Sequence, residues 1–159
     1  MFSRGKSQIL VGALATVLFL GAFVPCAFGR TPRKFDRFGR LDCNEELARL
    51  DNYASALRAT PEGRAVVVIY AGTSDTRRGE VIAHLFAIRD YLVSKRSIAP
   101  DYVILKNGGF LKHFRIDLWI IPTNTRDSIK TLIDDSVPLS TVHLQTPPVR
   151  EWRFPCLNQ

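Results

Sequence analysis

The sequence predicts an α+β fold: a two-layer sandwich in which two helices cover one face of a mixed sheet of about four strands, in the order βαβαββ. Three observations carry that expectation. Two stretches place apolar residues at three- and four-residue spacing, Leu47, Leu50, Ala54 and Leu57 in the first and Val81, Leu85, Ile88 and Leu92 in the second, which is the period of an amphipathic helix. Residues 65–70 (AVVVIY) are a continuous β-branched run, too short for a helix and typical of a strand covered on both faces. Residues 114–121 (FRIDLWII) alternate with period two, as a strand with one covered face does.

The elements follow in order. Residues 35–41 (FDRFGRL) read as a short edge strand weakened by Gly39. In the first helix Asp42 stands three residues before Glu45, with Asn44 as a second possible N-cap. Glu45 and Glu46 suit the positive end of the dipole and Arg58 the negative end, and Pro61 and Gly63 stop the helix. The 65–70 run then leads into a polar turn, 72–76 (GTSDT), with several possible caps. Ile82 and Phe86 widen the apolar face of the second helix, and Pro100 blocks its continuation. Residues 102–105 (YVIL) complete a βαβ unit, so the two strands should be parallel with a right-handed crossover. Gly108 and Gly109 mark a turn, and the short gap to residue 114 suits a hairpin. In the last strand Phe114, Ile116, Leu118 and Ile120 share the covered face, and Arg115, Asp117 and Trp119 the less covered one. Beyond Pro122 the pattern weakens to a short helix at 128–134, a short strand at 141–144 and Pro-rich coil.

The first thirty residues place the protein. Arg4 and Lys6 precede an uncharged, mostly apolar run at 9–24 (ILVGALATVLFLGAFV), Pro25 breaks it, and Ala27 and Gly29 stand just before Arg30. That order is the pattern of a secretory signal peptide cleaved after Gly29. The alternative is an inner-membrane anchor retained through residues 7–28. Cleavage leaves 130 residues, one domain's worth, with 20 basic residues against 15 acidic ones and a net charge of +5. Within the export product, 30–34 is a linker, 35–122 the domain, and 123–159 an irregular tail packed back on it. Trp119 on the outer strand face reads either as an aromatic contact for a sugar ring or a partner or, more often for such a residue, as lying under that tail, with residues 145–156 available to cover it. Cys43 and Cys156 remain, and in an oxidising compartment two cysteines read as one disulfide. Such a bridge closes roughly 110 residues and is worth at most ~4–5 kcal/mol.

The order and spacing of these pieces resemble the C-terminal, peptidoglycan-associating domain of OmpA-like proteins. The resemblance runs over residues 34–122. It rests on Phe35-Asp36, on Thr60-Pro61-Glu62-Gly63, on Val66-Val67-Val68-Ile69 before a Gly/Thr/Asp turn, and on 90–95 (DYLVSK) followed by 98–101 (IAPD). The chain also resembles a group of secreted bacterial proteins that carry an Arg-Gly-Glu turn, a Gly-Gly-aromatic turn and a Leu-Trp-Ile-Ile-Pro strand, here 78–80, 108–110 and 118–122. The resemblance implies a periplasmic or secreted bacterial protein that binds peptidoglycan or another anionic envelope polymer without covalent chemistry. In OmpA-like domains an Asp takes the ammonium of diaminopimelate and an Arg grips its carboxylate bidentately. Carried over by position, the Asp falls on Asp75 and the Arg on His84. The turn before Asp75 holds two extra residues, the stretch between the two is shorter than the family's, and a helix between the last two strands is missing. Arg78, always charged, is the other source of a cation.

Enzyme chemistry finds no motif. His84, His113 and His143 lack metal-ligand spacing, Cys43 and Cys156 make no zinc site, and no cofactor loop or nucleophile elbow is present. Ser74, Asp75 and His84 have the residue types of a triad without its spacing. Arg77 and Arg78, joined by Lys106, Lys112 and Arg115 if the hairpin lies close, form a basic cluster suited to a carboxylate or phosphate polymer. Arg78 opposes the helix dipole and calls for a partner in Asp75, Glu80 or a bound anion. The partners expected are therefore peptidoglycan or an envelope protein, with no nucleic acid, no cofactor, no metal and no membrane span after cleavage. The alternative function is a scaffold that keeps the fold and has lost the ligand.

Overall fold

A computed structural model describes residues 31–123, together with Leu132, Ile133, Val142 and Leu157. Its order is β1 (Arg33–Phe38), α1 (Cys43–Arg58), β2 (Gly63–Gly72), α2 (Glu80–Asp90), a π-helical turn (Tyr91–Lys95), a 3₁₀ turn (Pro100–Tyr102), β3 (Val103–Leu111) and β4 (Arg115–Pro122). The four strands form one mixed sheet in the order β1-β4-β2-β3. β2 runs parallel to β3 and antiparallel to β4, and β1 is antiparallel to β4. The fold is the α+β sandwich that the sequence predicts, with β1 on an edge and β2 in the interior.

The β-branched run explains the centre. Ala65 through Tyr70 are all fully buried, so both faces of β2 must be covered. Val67 and Ile69 point into a core closed by Leu50, Tyr53, Ala54 and Leu57 of α1 and by Val81, Leu85 and Ile88 of α2, with Leu92 of the π turn. Val66, Val68 and Tyr70 point to the opposite face, against Ile121 and Leu132, with Trp119 and Ile133 beside them. Asp42 caps α1 by accepting a hydrogen bond from Glu45 N at 2.9 Å.

Four expectations need correction. β1 begins at Arg33, inside the segment read as linker. Gly108 and Gly109 lie within β3 rather than in a turn. A Cβ on Gly108 would collide with the Tyr70 ring, and Gly109 sits at φ 84°, so both glycines answer to packing and a bulge. β3 and β4 are not a hairpin, because residues 112–114 carry the chain across the end of β2 and β4 pairs on its other side. That route leaves the most apolar strand in the middle. Ile82 and Phe86 are 47% and 56% exposed and do not widen the core face of α2.

The face expected to be less covered also differs: Asp117 is fully buried there. The short helix expected at 128–134 and the strand at 141–144 lie outside the described residues, apart from Leu132, Ile133 and Val142. Residues 145–156 lie outside them too. Among the described residues no helix is long and apolar enough to cross a membrane.

Candidate functional site

The sequence points to the loop after β2, and its geometry follows from how that strand ends. Gly72 N donates to Thr76 Oγ1 at 2.7 Å, and Thr73 N donates to Leu111 O at 2.9 Å. The Asp75 carboxylate folds back over Gly72, where any Cβ would strike it. It accepts hydrogen bonds from Phe114 N at 3.2 Å and from the Thr76 hydroxyl at 3.2 Å. Asp75 thus ties the loop to the crossing strand connection.

Glu80 holds the start of α2. The N-cap position is Gly79, at φ 83°, which has no side chain to offer. Glu80 Oε2 instead accepts from Arg77 N at 2.9 Å. Its other oxygen takes Arg40 Nη1 at 2.5 Å, and Arg40 Nη2 reaches Asp75 O at 2.6 Å. Arg40 also lies 4.6 Å over the Phe114 ring. One turn into α2, His84 is 6% exposed and stacks on Phe114 at 5.8 Å with 12° between the planes. Its Nε2 stands 2.6 Å from Glu46 Oε1. An ionised carboxylate only accepts, so the imidazole N–H donates.

Asp75 and His84 therefore belong to one continuous cluster with Arg40, Glu46, Glu80 and Phe114, and both are engaged by the protein. Arg78 is not part of it. Arg78 is exposed in the turn before α2, and the two carboxylates expected as its partners are engaged elsewhere, Glu80 by Arg40 and Arg77 N and Asp75 by Phe114 N and Thr76. Ser74 is exposed, and among the described residues no hydrogen bond joins it to His84, so the triad types do not assemble.

The expected basic cluster is divided. Lys112 stays near the loop, its carbonyl 3.5 Å from Thr73 Oγ1. Lys106 pairs in register with Val68, and Arg115 lies 4.4 Å over the Tyr70 ring, both on the second face of the sheet. There Asp117 collects three cations: Lys34 Nζ at 3.1 Å, Arg37 through two bonds at 2.9 and 3.0 Å, and Arg115 Nε at 3.1 Å. Lys34 is also 4.6 Å over the Trp119 ring. A buried carboxylate is tolerated here because charged donors surround it.

A third ionic group links α1 to the π turn. Asp51 accepts from Tyr91 Oη at 2.6 Å and from the Arg96 guanidinium, whose Nη2 is 2.7 Å away and whose Nε also bonds it. The Arg96 bonds hold the Asp51 carboxyl below the usual carboxylate range. Burial, with Asp51 beside it, pushes the Tyr91 phenol up to about 12. Burial likewise raises Tyr53, whose hydroxyl donates to Trp119 O at 2.6 Å. Cys43 is disulfide-bonded, and its sulfur partner lies outside the described residues, as Cys156 does. Among the described residues no cluster of His, Cys, Asp and Glu could hold a metal ion. A depression of about 250 Å3 lies at the far end of β2 from the loop, lined by Leu57, Pro61, Ile98 and Tyr102 among others.

Sequence reasoning missed Arg40, which reaches Asp75 and Glu80, and Glu46, which reaches His84 on α2, from 35 to 40 positions away. Glu46 carried only a dipole signal, and nothing local announces its pairing with His84. Asp117 was placed by its alternation on the less covered face, and its burial among three cations was not foreseen. No family model, curated protein or solved structure matches the chain.

Proposed function

We propose that the chain is an exported, non-enzymatic envelope protein, a reduced OmpA-like domain that serves as a protein-interaction scaffold and no longer holds the diaminopimelate of peptidoglycan. One observation carries this reading. The two residues at the ligand positions are both engaged by the protein, Asp75 by Phe114 N and Thr76, His84 by Glu46. A ligand ammonium would have to displace the first set of bonds, and a ligand carboxylate would meet Glu46 beside His84. Each substitution exchanges a formed interaction for a new one and gains little. Pelleting with purified peptidoglycan sacculi tests it: the protein is expected to stay in the supernatant, with Asp75→Ala behaving like wild type. Saturable pelleting abolished by Asp75→Ala speaks for a surviving diaminopimelate site.

A second reading keeps an anionic polymer as ligand. It is favoured by the exposure of Arg77, Arg78 and Lys112, the last with its carbonyl 3.5 Å from Thr73 Oγ1 of the loop. Binding of this kind is ionic, so it should fall steeply between about 50 and 300 mM salt as the Debye length shrinks. It should weaken in Arg77→Ala and Arg78→Ala and be indifferent to Asp75.

A further inference from the structure

Asn107 stands where the regular part of β3 stops. The parallel ladder with β2 runs in step from Ala65 opposite Val103 to Ile69 opposite Asn107, and resumes with Ala71 opposite Phe110. Gly108 and Gly109 therefore share the single residue Tyr70, a β-bulge that takes them out of the regular pairing. Asn107 is exposed, and its Oδ1 accepts a hydrogen bond from Gly109 N at 2.9 Å. A backbone N–H only donates, so it is the carbonyl end of the side-chain amide that is turned onto the Gly-Gly segment. Of the five asparagines in the chain this is the one followed by glycine; Asn44, Asn52, Asn124 and Asn158 precede Glu45, Tyr53, Thr125 and Gln159.

That arrangement suits an attack by the chain on itself. The peptide nitrogen of Gly108 has no side chain beside it to block approach. The Gly109 N–H already points at the oxygen on which charge develops when Asn107 Cγ is attacked. We propose that Asn107 is a self-modification site, converted to aspartate and isoaspartate through a cyclic imide with Gly108. Gly108 N gives its proton to hydroxide and bonds to Cγ; the Cγ–Nδ2 bond breaks and ammonia leaves. Water then opens the ring, so one water is consumed for each ammonia released and nothing is oxidised or reduced. Opening at the side-chain carbonyl gives aspartate, and opening at the main-chain carbonyl gives isoaspartate. The second product disturbs the fold, because it routes the backbone through Cβ and lengthens it by one atom just before Gly108. Gly108 is buried, so close to the Tyr70 ring that a Cβ on it would collide. It has no room to absorb the extra atom, and the pairing of Phe110 and Leu111 with Ala71 and Gly72 loses its register.

The full chain is expressed with its own N-terminus, and the purified, folded product is aged in mildly alkaline buffer beside a synthetic peptide of residues 103–111. Peptide mapping of the protein should find a gain of about 1 Da, from the exchange of NH2 for OH, on the fragment that holds Asn107. Labelling of that fragment by an isoaspartyl methyltransferase reads the isoaspartate. Asn107→Gln, which must close a larger and slower ring, should show no gain over the same period. The isoaspartate fraction of aged wild type should unfold at lower urea than fresh protein. Asn107→Asp keeps an acceptor for Gly109 N and should unfold with fresh wild type, which separates the lengthened backbone from the added charge. Asn107 intact in the folded protein when the peptide has converted overturns the proposal, as does conversion that appears first at another asparagine. An isoaspartate fraction with the midpoint of fresh protein overturns the loss of register.

Discussion

The loop at the carboxyl end of β2 and the outward face of α2 follow one another in the chain, and their side chains point against expectation in opposite senses. The loop and the inner side of α2 hold residues that read as a ligand site, yet Asp75 and His84 are bonded to Phe114 N and Glu46, with Glu80 beside them taken by Arg40. The helix holds Ile82 and Phe86, which read as core, yet both face outward. Residue type sets what chemistry a side chain can do. Its direction is set by what lies within reach, and here the reach comes from distant elements. Arg40 follows β1 and Glu46 lies on α1, so the loop's charges are satisfied before any ligand arrives. The sheet offers Val81, Leu85 and Ile88 all the apolar contact that α2 can take, which leaves Ile82 and Phe86 outside.

The contrast is sharpened by substitutions ranked by how far inward they act. The largest effect belongs to the disulfide at Cys43, one turn before Glu46 on α1. With Cys156 as its partner, reduction removes up to ~4–5 kcal/mol. Non-reduced peptide mapping should find the two linked, with the intact protein ~2 Da lighter than its dithiol form. Free thiols at both positions in native protein exclude the bridge. Next comes Asp117, fully buried among Lys34, Arg37 and Arg115. Asp117→Ala leaves three cations without their carboxylate and should cost about 3–5 kcal/mol in urea unfolding. A loss below about 1 kcal/mol, the size of an exposed pair, means that the cluster is open to water.

A smaller effect is expected in alkali. The Tyr91 phenol is raised from its ordinary value of 10.0 to about 12 in the folded protein. Its contribution is therefore complete below pH 10 and is lost as pH rises toward 12. Asp51 behaves in the opposite way. Its folded value lies below 3.8, so its contribution is present above about pH 4 and is lost in stronger acid. Tyr91→Phe should make the alkaline decline shallower, leaving the part that buried Tyr53 contributes, and cost about 1 kcal/mol at neutral pH. An unchanged alkaline limb contradicts the Tyr91 assignment. The smallest effect is expected at the helix surface, where Ile82→Ser and Phe86→Ser should change stability by less than about 0.5 kcal/mol. A loss near that of a buried Leu, above about 2 kcal/mol, places those side chains inside.

Much of this architecture was legible because its signals are local. Asp42 caps α1 through a bond three residues long, and the 65–70 run has no exposed face to place anywhere but the middle of the sheet. The strand order was not legible. A three-residue connection fits a hairpin as well as a step across the end of β2, and what decides between them is the pairing of β4 with both β1 and β2. Gly108 misled for a related reason: a glycine that admits the Tyr70 ring has the same sequence signature as a turn glycine. In the site, the residues on the loop and helix could be named, but their orientation depended on Arg40 and Glu46, which no spacing rule connects to them.

The central claim, that Asp75 braces the fold and is not held ready for a ligand, is tested most directly by urea unfolding of Asp75→Ala without any ligand. The variant loses the acceptor for Phe114 N and Thr76 Oγ1, so stability should fall by about 1–3 kcal/mol with an unchanged m-value. An unfolding midpoint equal to or above that of wild type would contradict the account, because a carboxylate held for a ligand costs nothing in the free protein when it is removed.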